Sequence, residues 1–189
     1  MKKLLWLSTF LLAFPVFANW QLDKQNSVVS FTTFKKEHIA ENHRFHNLNA
    51  NVSAQGQVEL TIDLTSVDTN IAIRDQRMKE HLFNVNSFPT AMFTAQLEQK
   101  VLQQLTSDSS QMLTLKGKIE LHGQTQAVSV EVLVSKMANG FLVTSLAPLL
   151  IKAQDFELVT GINKLMELAK LPSISHTVPV SFTLSFTRE

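Results

Sequence analysis

The side chains able to do chemistry in this 189-residue chain are few and scattered. Arg74 and Asp75 are an adjacent charged pair in a charge-rich stretch. Arg74 could meet a ligand head group there, and Asp75 is the second candidate for that role. Asp75 and Arg77 equally suit the first turns of a short helix, where a carboxylate favours the helix dipole. His38, His43 and His46 invite a metal reading, because imidazole is the commonest metal ligand. In an extended strand 38 and 46 project to one side and 43 to the other. Without a bulge they cannot surround one ion, so no metal is expected, and His46 is retained only as a head-group candidate near a pocket rim. His122 precedes Gly123 in a turn-like stretch, where a backbone role is expected.

The motifs of common chemistries are missing from the chain. It has no cysteine, which excludes disulfides, cysteine metal sites, covalent haem attachment, thiol nucleophiles and lipidation through sulfur. There is no Gly-x-Ser-x-Gly elbow, no glycine-rich phosphate loop and no His-Glu-x-x-His. No catalytic residue is nominated, and an enzyme is not expected. A charged fraction of 17% with 44% hydrophobic residues and a net charge of +1 fits neither a disordered chain nor a nucleic-acid binder. The aromatics are lopsided: 13 Phe, 2 Trp and no Tyr.

Residues 1–18 read as a cleaved secretory signal. Lys2 and Lys3 are a positive start, Leu4 to Phe14 an apolar run, and Pro15 a break, after which Val16 and Ala18 supply the small side chains of a cleavage site. The apolar run is shorter than the roughly 20 residues of a spanning helix. Export in bacterial style, with no cysteine for a lipid anchor, predicts a soluble periplasmic protein of residues 19–189 in one domain. Of the 17 basic side chains, Lys2 and Lys3 belong to the signal, and without them the 16 acidic side chains are in slight excess.

The elements that must position any site follow a period of two. Val58, Leu60, Ile62 and Leu64 alternate with Glu59, Thr61 and Asp63, and Ala91, Phe93, Ala95 and Leu97 alternate with mostly polar residues. So do Leu113, Leu115, Ile119 and Leu121 across Gly117, then Val128, Val130, Val132 and Val134, and finally Val178, Val180, Phe182, Leu184 and Phe186. Each run predicts a strand with one apolar face. An earlier strand is expected over 27–34 and a ragged partner over 39–48. His122-Gly123-Gln124 and Ala138-Asn139-Gly140 predict hairpins, the Asn-Gly pair signalling a type I′ turn. Helices are expected over 73–83 and 160–171, the second ended by Pro172. About eight one-sided strands must bury their apolar faces in a sandwich or a closed barrel. An eight-stranded barrel either fills with side chains or holds one small ligand. The lumen candidates are Phe31, Leu60, Ile62, Phe93, Leu97, Leu115, Val130, Val132, Phe182 and Phe186. Small inward residues such as Ala91 and Ala95 leave space, and at ~25 cal/mol per Å² of apolar surface removed from water an isoprenoid or acyl chain gains by entering it.

Ser66-Val67-Asp68-Thr69, Arg74-Asp75, Leu82-Phe83-Asn84-Val85 and Phe88-Pro89-Thr90-Ala91-Met92-Phe93 together resemble the YceI-like family. The likeness extends to Trp20-Gln21-Leu22-Asp23, to Gly117 through Thr125, and to Ile151 through Phe156, and so covers the chain from residue 20 onward. It implies an all-β, about eight-stranded antiparallel lipocalin-like barrel with one or two short helices. It also implies binding or carriage of an isoprenoid lipid, a quinone or a polyprenyl phosphate, held without covalent attachment. Homodimers and a membrane redox partner of the cytochrome b561 type are further implications; the alternative is a filled barrel that serves such a partner structurally. Where many members carry Gly-x-Phe and a later glycine, this chain has His43-Arg44-Phe45 and Ala50. A strand bend is therefore expected to be shaped differently here.

Overall fold

Strands that are apolar on one side need a shared interior, and here they obtain it by closing on themselves. The computed structural model describes residues 19–105 and 110–188. The signal segment lies outside them. In chain order the strands are β1 (Trp20–Lys35), β2 (Ile39–Phe45), β3 (Leu48–Val52), β4 (Gln57–Asp63), β5 (Val67–Asp68), β6 (Thr90–Gln96), β7 (Gln111–Leu121), β8 (Gln124–Met137), β9 (Gly140–Ser145), β10 (Leu149–Lys152) and β11 (Thr177–Arg188). The helices are α1 (Ala72–Arg77), α2 (Gln99–Leu105) and α3 (Val159–Leu168).

Neighbouring strands are antiparallel, and β1 pairs with β11 to close the ring. β2 and β3 behave as one strand broken at His46-Asn47, which leaves an eight-stranded barrel. β5 extends the end of β2, and β10 lies along the first half of β11. The barrel is thus the expected one, and the sandwich is excluded.

Several boundaries differ from the expectations for identifiable reasons. β1 begins at Trp20 rather than residue 27. Its pairing with β11 shifts register between Asp23 and Val28, where the Asp23 carboxylate accepts bonds from the backbone of Gln25 and Asn26. That local side-chain turn is a bulge, and its polar residues hide the strand from a search for alternation. α1 passes into a π turn over Met78–Leu82, with Phe83 N–H donating to the Met78 carbonyl at 2.9 Å, so the predicted helix over 73–83 is present but wound in two ways. α3 stops at Leu168, and Lys170 takes the left-handed conformation (φ 51°) before Pro172. α2 and β10 were not anticipated.

The type I′ turn forms in the other hairpin from the one that the Asn-Gly pair marks. In the β7–β8 hairpin Leu121 pairs with Gln124, and the loop residues His122 and Gly123 have φ of 52° and 77°; this is the turn with two positive φ values. In the β8–β9 hairpin Met137 pairs with Gly140, so the loop is Ala138-Asn139, with neither residue at positive φ. Gly140 belongs to the strand, paired with Met137 and Thr187, and a Cβ there would run into the Phe186 carbonyl of β11.

The core is two apolar clusters stacked along the barrel. One gathers Trp20, Leu60, Val132, Phe141 and Phe186, with Leu102 of α2 packed against that end. The other gathers Phe31, Leu64, Phe83 and Phe156 with Met78 of the π turn and Ile162 of α3. α1, the π turn and α3 therefore form a lid over one end, and α2 plugs the other.

Candidate functional site

The barrel is not packed solid. Under the lid lies a cavity of about 460 Å³, lined from the barrel by residues such as Phe31, Phe45, Leu149 and Val180 and from the lid by Met78, Leu82, Ile162 and Leu165. A second, almost wholly apolar cavity of about 130 Å³ lies deeper, among Leu60, Phe93, Leu115, Val130, Phe182 and Phe186. Val29, Ile62, Ala91, Ile119, Leu149 and Val180 border both, so the two spaces adjoin across a waist. The larger lies in the size range of small-molecule pockets, about 300–1,000 Å³. The smaller is close to the roughly 150 Å³ apolar voids that stay dry and admit a benzene ring.

The wall becomes polar toward the lid in a graded way that follows from strand pairing. On β1 the inward residues run Val29, Phe31, Thr33, Lys35, and on β2 they run Phe45, His43, Glu41. Their register sets Val29 opposite Phe45, Phe31 opposite His43 and Thr33 opposite Glu41. Glu41 Oε2 accepts from Lys35 Nζ at 2.6 Å and from Arg74 Nη1 at 2.8 Å. The Lys35 hydrogen bond, joined by the Arg74 charge, holds the Glu41 carboxyl below its ordinary range against the opposing effect of burial. Arg74 also donates through Nε to Thr69 Oγ1 at 2.8 Å and through Nη2 to the Thr69 carbonyl at 2.7 Å. Asp75 accepts from the Thr69 backbone and hydroxyl. Arg74 thus stands in the cavity wall, as the head-group expectation required, but all three of its nitrogens hold the β5–α1 loop and β2 in place. Asp75 serves that loop and is not part of a cavity wall. Arg77 donates to the Leu168 carbonyl at 3.3 Å, tying the two halves of the lid.

His43 is 4% exposed, the most deeply buried of the inward polar residues on these strands. Its ring tilts against Phe31 at 5.2 Å, and its Nε2 is 2.9 Å from Thr33 Oγ1. Nδ1 is buried with no hydrogen-bond partner among the described residues. Burial first, and then the nearby Arg74 charge, push its pKa below the ordinary histidine value, so the ring is neutral. His46 lies at the β2–β3 break, half exposed, bonded to Asp68 Oδ2 at 2.8 Å beside Arg44. It lines neither cavity, so the rim position expected for it is not what the fold provides. His38 is exposed in the β1–β2 loop, and the three histidines do not converge.

Of the lumen residues nominated from alternation, Phe31 faces the upper cavity, Ile62 both, and Leu60, Phe93, Leu97, Leu115, Val130, Phe182 and Phe186 the lower one. Val132 is inward and fully buried but packed, with no cavity surface. The nominated lumen set lacks Val29 and Phe45; the helix over 73–83, expected as a plug or lid across one barrel end, does cover that end, but α3's share in the lid is not foreseen. The stripe Ile162, Leu165 and Ala169 marked α3 as amphipathic, and all three line the upper cavity, but periodicity alone does not say what such a stripe covers. His43 and Ala50, the two departures from the family pattern, both fall on lumen walls, upper and lower respectively. At His43, β2 keeps a regular register with β1.

A family model described as YceI-like domain matches residues 20–186. A UPF0312 protein of Yersinia enterocolitica is 27% identical over 161 residues, 78% of this chain and 79% of that protein. A solved polyisoprenoid binding domain from Saccharophagus degradans, implicated in plant cell wall breakdown, is 34% identical. The alignment covers 90% of this chain and 98% of that one, with a TM-score of 0.86. Burkholderia cenocepacia BcnA, 21% identical over 87% of this chain and 98% of its own, shares the fold with a TM-score of 0.69.

Proposed function

From the premise that the chain belongs to the YceI-like family, we propose that it is a periplasmic carrier that holds one isoprenoid lipid inside its barrel. The observation that carries this reading is the cavity of about 460 Å³, apolar in depth and polar only toward the lid, continuing across a waist into a second apolar space. A prenyl tail gains by leaving water for such a space, at about 0.8 kcal/mol per CH₂ buried. The cavity has no chemistry built for specific tail contacts, so the tail is selected by length and girth. The Phe-without-Tyr composition suits this interior, because phenyl rings supply apolar surface with no hydroxyl to satisfy. Unfilled space of this size speaks against a barrel packed solid in a purely structural role. The relative from Saccharophagus, described as a polyisoprenoid binding domain, supports the ligand class, and residues 1–18 support export. The role is binding; the polar cluster of Lys35, Glu41, Thr69 and Arg74 is spent on internal pairing rather than on poising a nucleophile.

Purification of the processed protein from a bacterial periplasm, solvent extraction and mass spectrometry of the extract test the reading. A prenyl lipid at near-equimolar ratio is expected. Absence of any lipid, together with no uptake of an added quinone or polyprenyl phosphate, overturns it.

A further inference from the structure

We propose that His43 is the hydrogen-bonding anchor for the ligand's head group, and that this head is an uncharged oxygen function, a hydroxyl or carbonyl, on the prenyl chain. The inference rests on the carrier reading and adds to it the chemical class of the head.

The argument is one of elimination along the upper cavity wall. Its polar side chains are Thr33, Lys35, Glu41, His43, Arg74, Arg77 and Ser175. Thr33 bonds His43, Lys35 and Arg74 hold Glu41, Arg77 donates to the Leu168 carbonyl, and Ser175 donates to the Thr177 carbonyl. Among the described residues, one buried side-chain atom of this set lacks a partner: Nδ1 of His43, in a residue 4% exposed. Buried polar atoms are satisfied by protein, by water or by a ligand, and this one belongs to the wall of a cavity suited to a ligand. The ring can serve in either tautomer. When Nε2–H donates to Thr33 Oγ1, Nδ1 accepts from a hydroxyl; when the Thr33 hydroxyl donates to Nε2, Nδ1–H donates to a hydroxyl or a carbonyl.

The same census disfavours an anionic head. A phosphate bonded at His43 would have to draw Lys35 or Arg74 away from Glu41, leaving a half-buried carboxylate unpaired, or take Arg77 from the Leu168 carbonyl, and would itself shed water. His43 lies one rung inward from Glu41 and across from Phe31. A neutral head bonded there sits just inside the charged rim and leaves the tail to run past Phe31 and Phe45 toward the waist.

The test compares three probes of equal chain length, geranylgeraniol, geranylgeranyl phosphate and the matching hydrocarbon, on the wild-type protein and on His43→Leu and His43→Phe, with folding checked by circular dichroism. The wild type should prefer the prenol over the hydrocarbon by about tenfold, the equivalent of one hydrogen bond, and should bind the phosphate more weakly than the prenol. Both variants should lose the prenol preference while holding the hydrocarbon as well as or better than before. Two apolar replacements of different shape keep the test open if one fails to fold. A prenol preference that survives in a folded variant, or a wild type that prefers the phosphate, overturns the inference and leaves the carrier reading standing. Failure of the wild type to bind any probe overturns both.

Discussion

Ala91→Phe tests whether the two cavities act as one lumen. Ala91 lies on β6 opposite Ile62 and borders both spaces, buried to 8% exposure. An added phenyl ring is the size of the benzene that a void of roughly 150 Å³ accommodates, and the lower cavity holds about 130 Å³. One ring at the waist therefore either fills the lower space or stoppers it, and leaves the upper one of about 460 Å³ open. The lower cavity takes about one five-carbon prenyl unit, for which ~0.8 kcal/mol per carbon sets a ceiling of about 4 kcal/mol. The displaced unit still finds apolar wall in the upper cavity, so a loss of about 1.5–3 kcal/mol is expected, roughly 10- to 150-fold in Kd. Because the ring enters existing space, stability should change by less than ~1.5 kcal/mol, unlike overpacking of a full core. Calorimetry or fluorescence displacement with farnesol, geranylgeraniol and a longer prenol reads the effect, which should be near zero for the shortest chain and grow with length. Equal losses at every length, or no loss for the longest, would refute the continuous lumen.

Acid should destabilise the protein in a window that belongs to His43. Its folded pKa is pushed below the ordinary 6.5 by burial, reinforced by Arg74 and Lys35 and opposed by Glu41 and Asp75. As pH falls through 6.5 the unfolded chain therefore takes up a proton that the fold resists, and stability drops. Glu41 and Asp63, with lowered pKa values, lose their contribution only as pH falls below their ordinary carboxylate values of 4.5 and 3.8. Thermal melts between pH 7 and roughly 5 should show a decline that His43→Phe flattens; an unchanged slope counts against a neutral buried ring. Arg74→Ala should cost about 1.5–3 kcal/mol of stability in denaturant titrations, the range for charge-assisted bonds, while prenol affinity stays within about threefold on the same tenfold-per-1.4 kcal/mol scale. A much larger affinity loss in a stable protein would show Arg74 touching the ligand. Gly140→Ala should destabilise by about 3 kcal/mol or more through the clash with the Phe186 carbonyl, which lowers Tm by several degrees; an unaltered melt would mean the β9–β11 approach is looser than described.

Legibility from sequence tracked the range of the interactions involved. Alternation from Val58 to Leu64 or from Val178 to Phe186 is local, and it assigned inward faces that the barrel confirms at Leu60, Phe93 and Phe182. Parity likewise separated His43 from His38 and His46. Alternation failed where side chains compete with the ladder, as at the Asp23 bulge, and where a turn motif was read without its register. Asn139-Gly140 has the composition of a type I′ turn, yet pairing of Met137 with Gly140 shifts the loop by one residue. The strand then needs glycine for a reason that comes from β11.

The sequence alone therefore determined the strand-rich class, the lack of cysteine chemistry and which side chains turn inward, because a pleated strand alternates faces every residue whatever its neighbours are. Only the tertiary structure decided which inward residues meet space and which meet atoms. Val132 and Val130 have the same pattern, but one is packed and the other borders a cavity. It also decided that Arg74 is consumed by Glu41 and Thr69 while His43 retains an unpartnered nitrogen. Both outcomes depend on contacts between segments far apart in the chain, set by closure of β1 on β11 and by the lid laid across the end. No local pattern encodes those contacts.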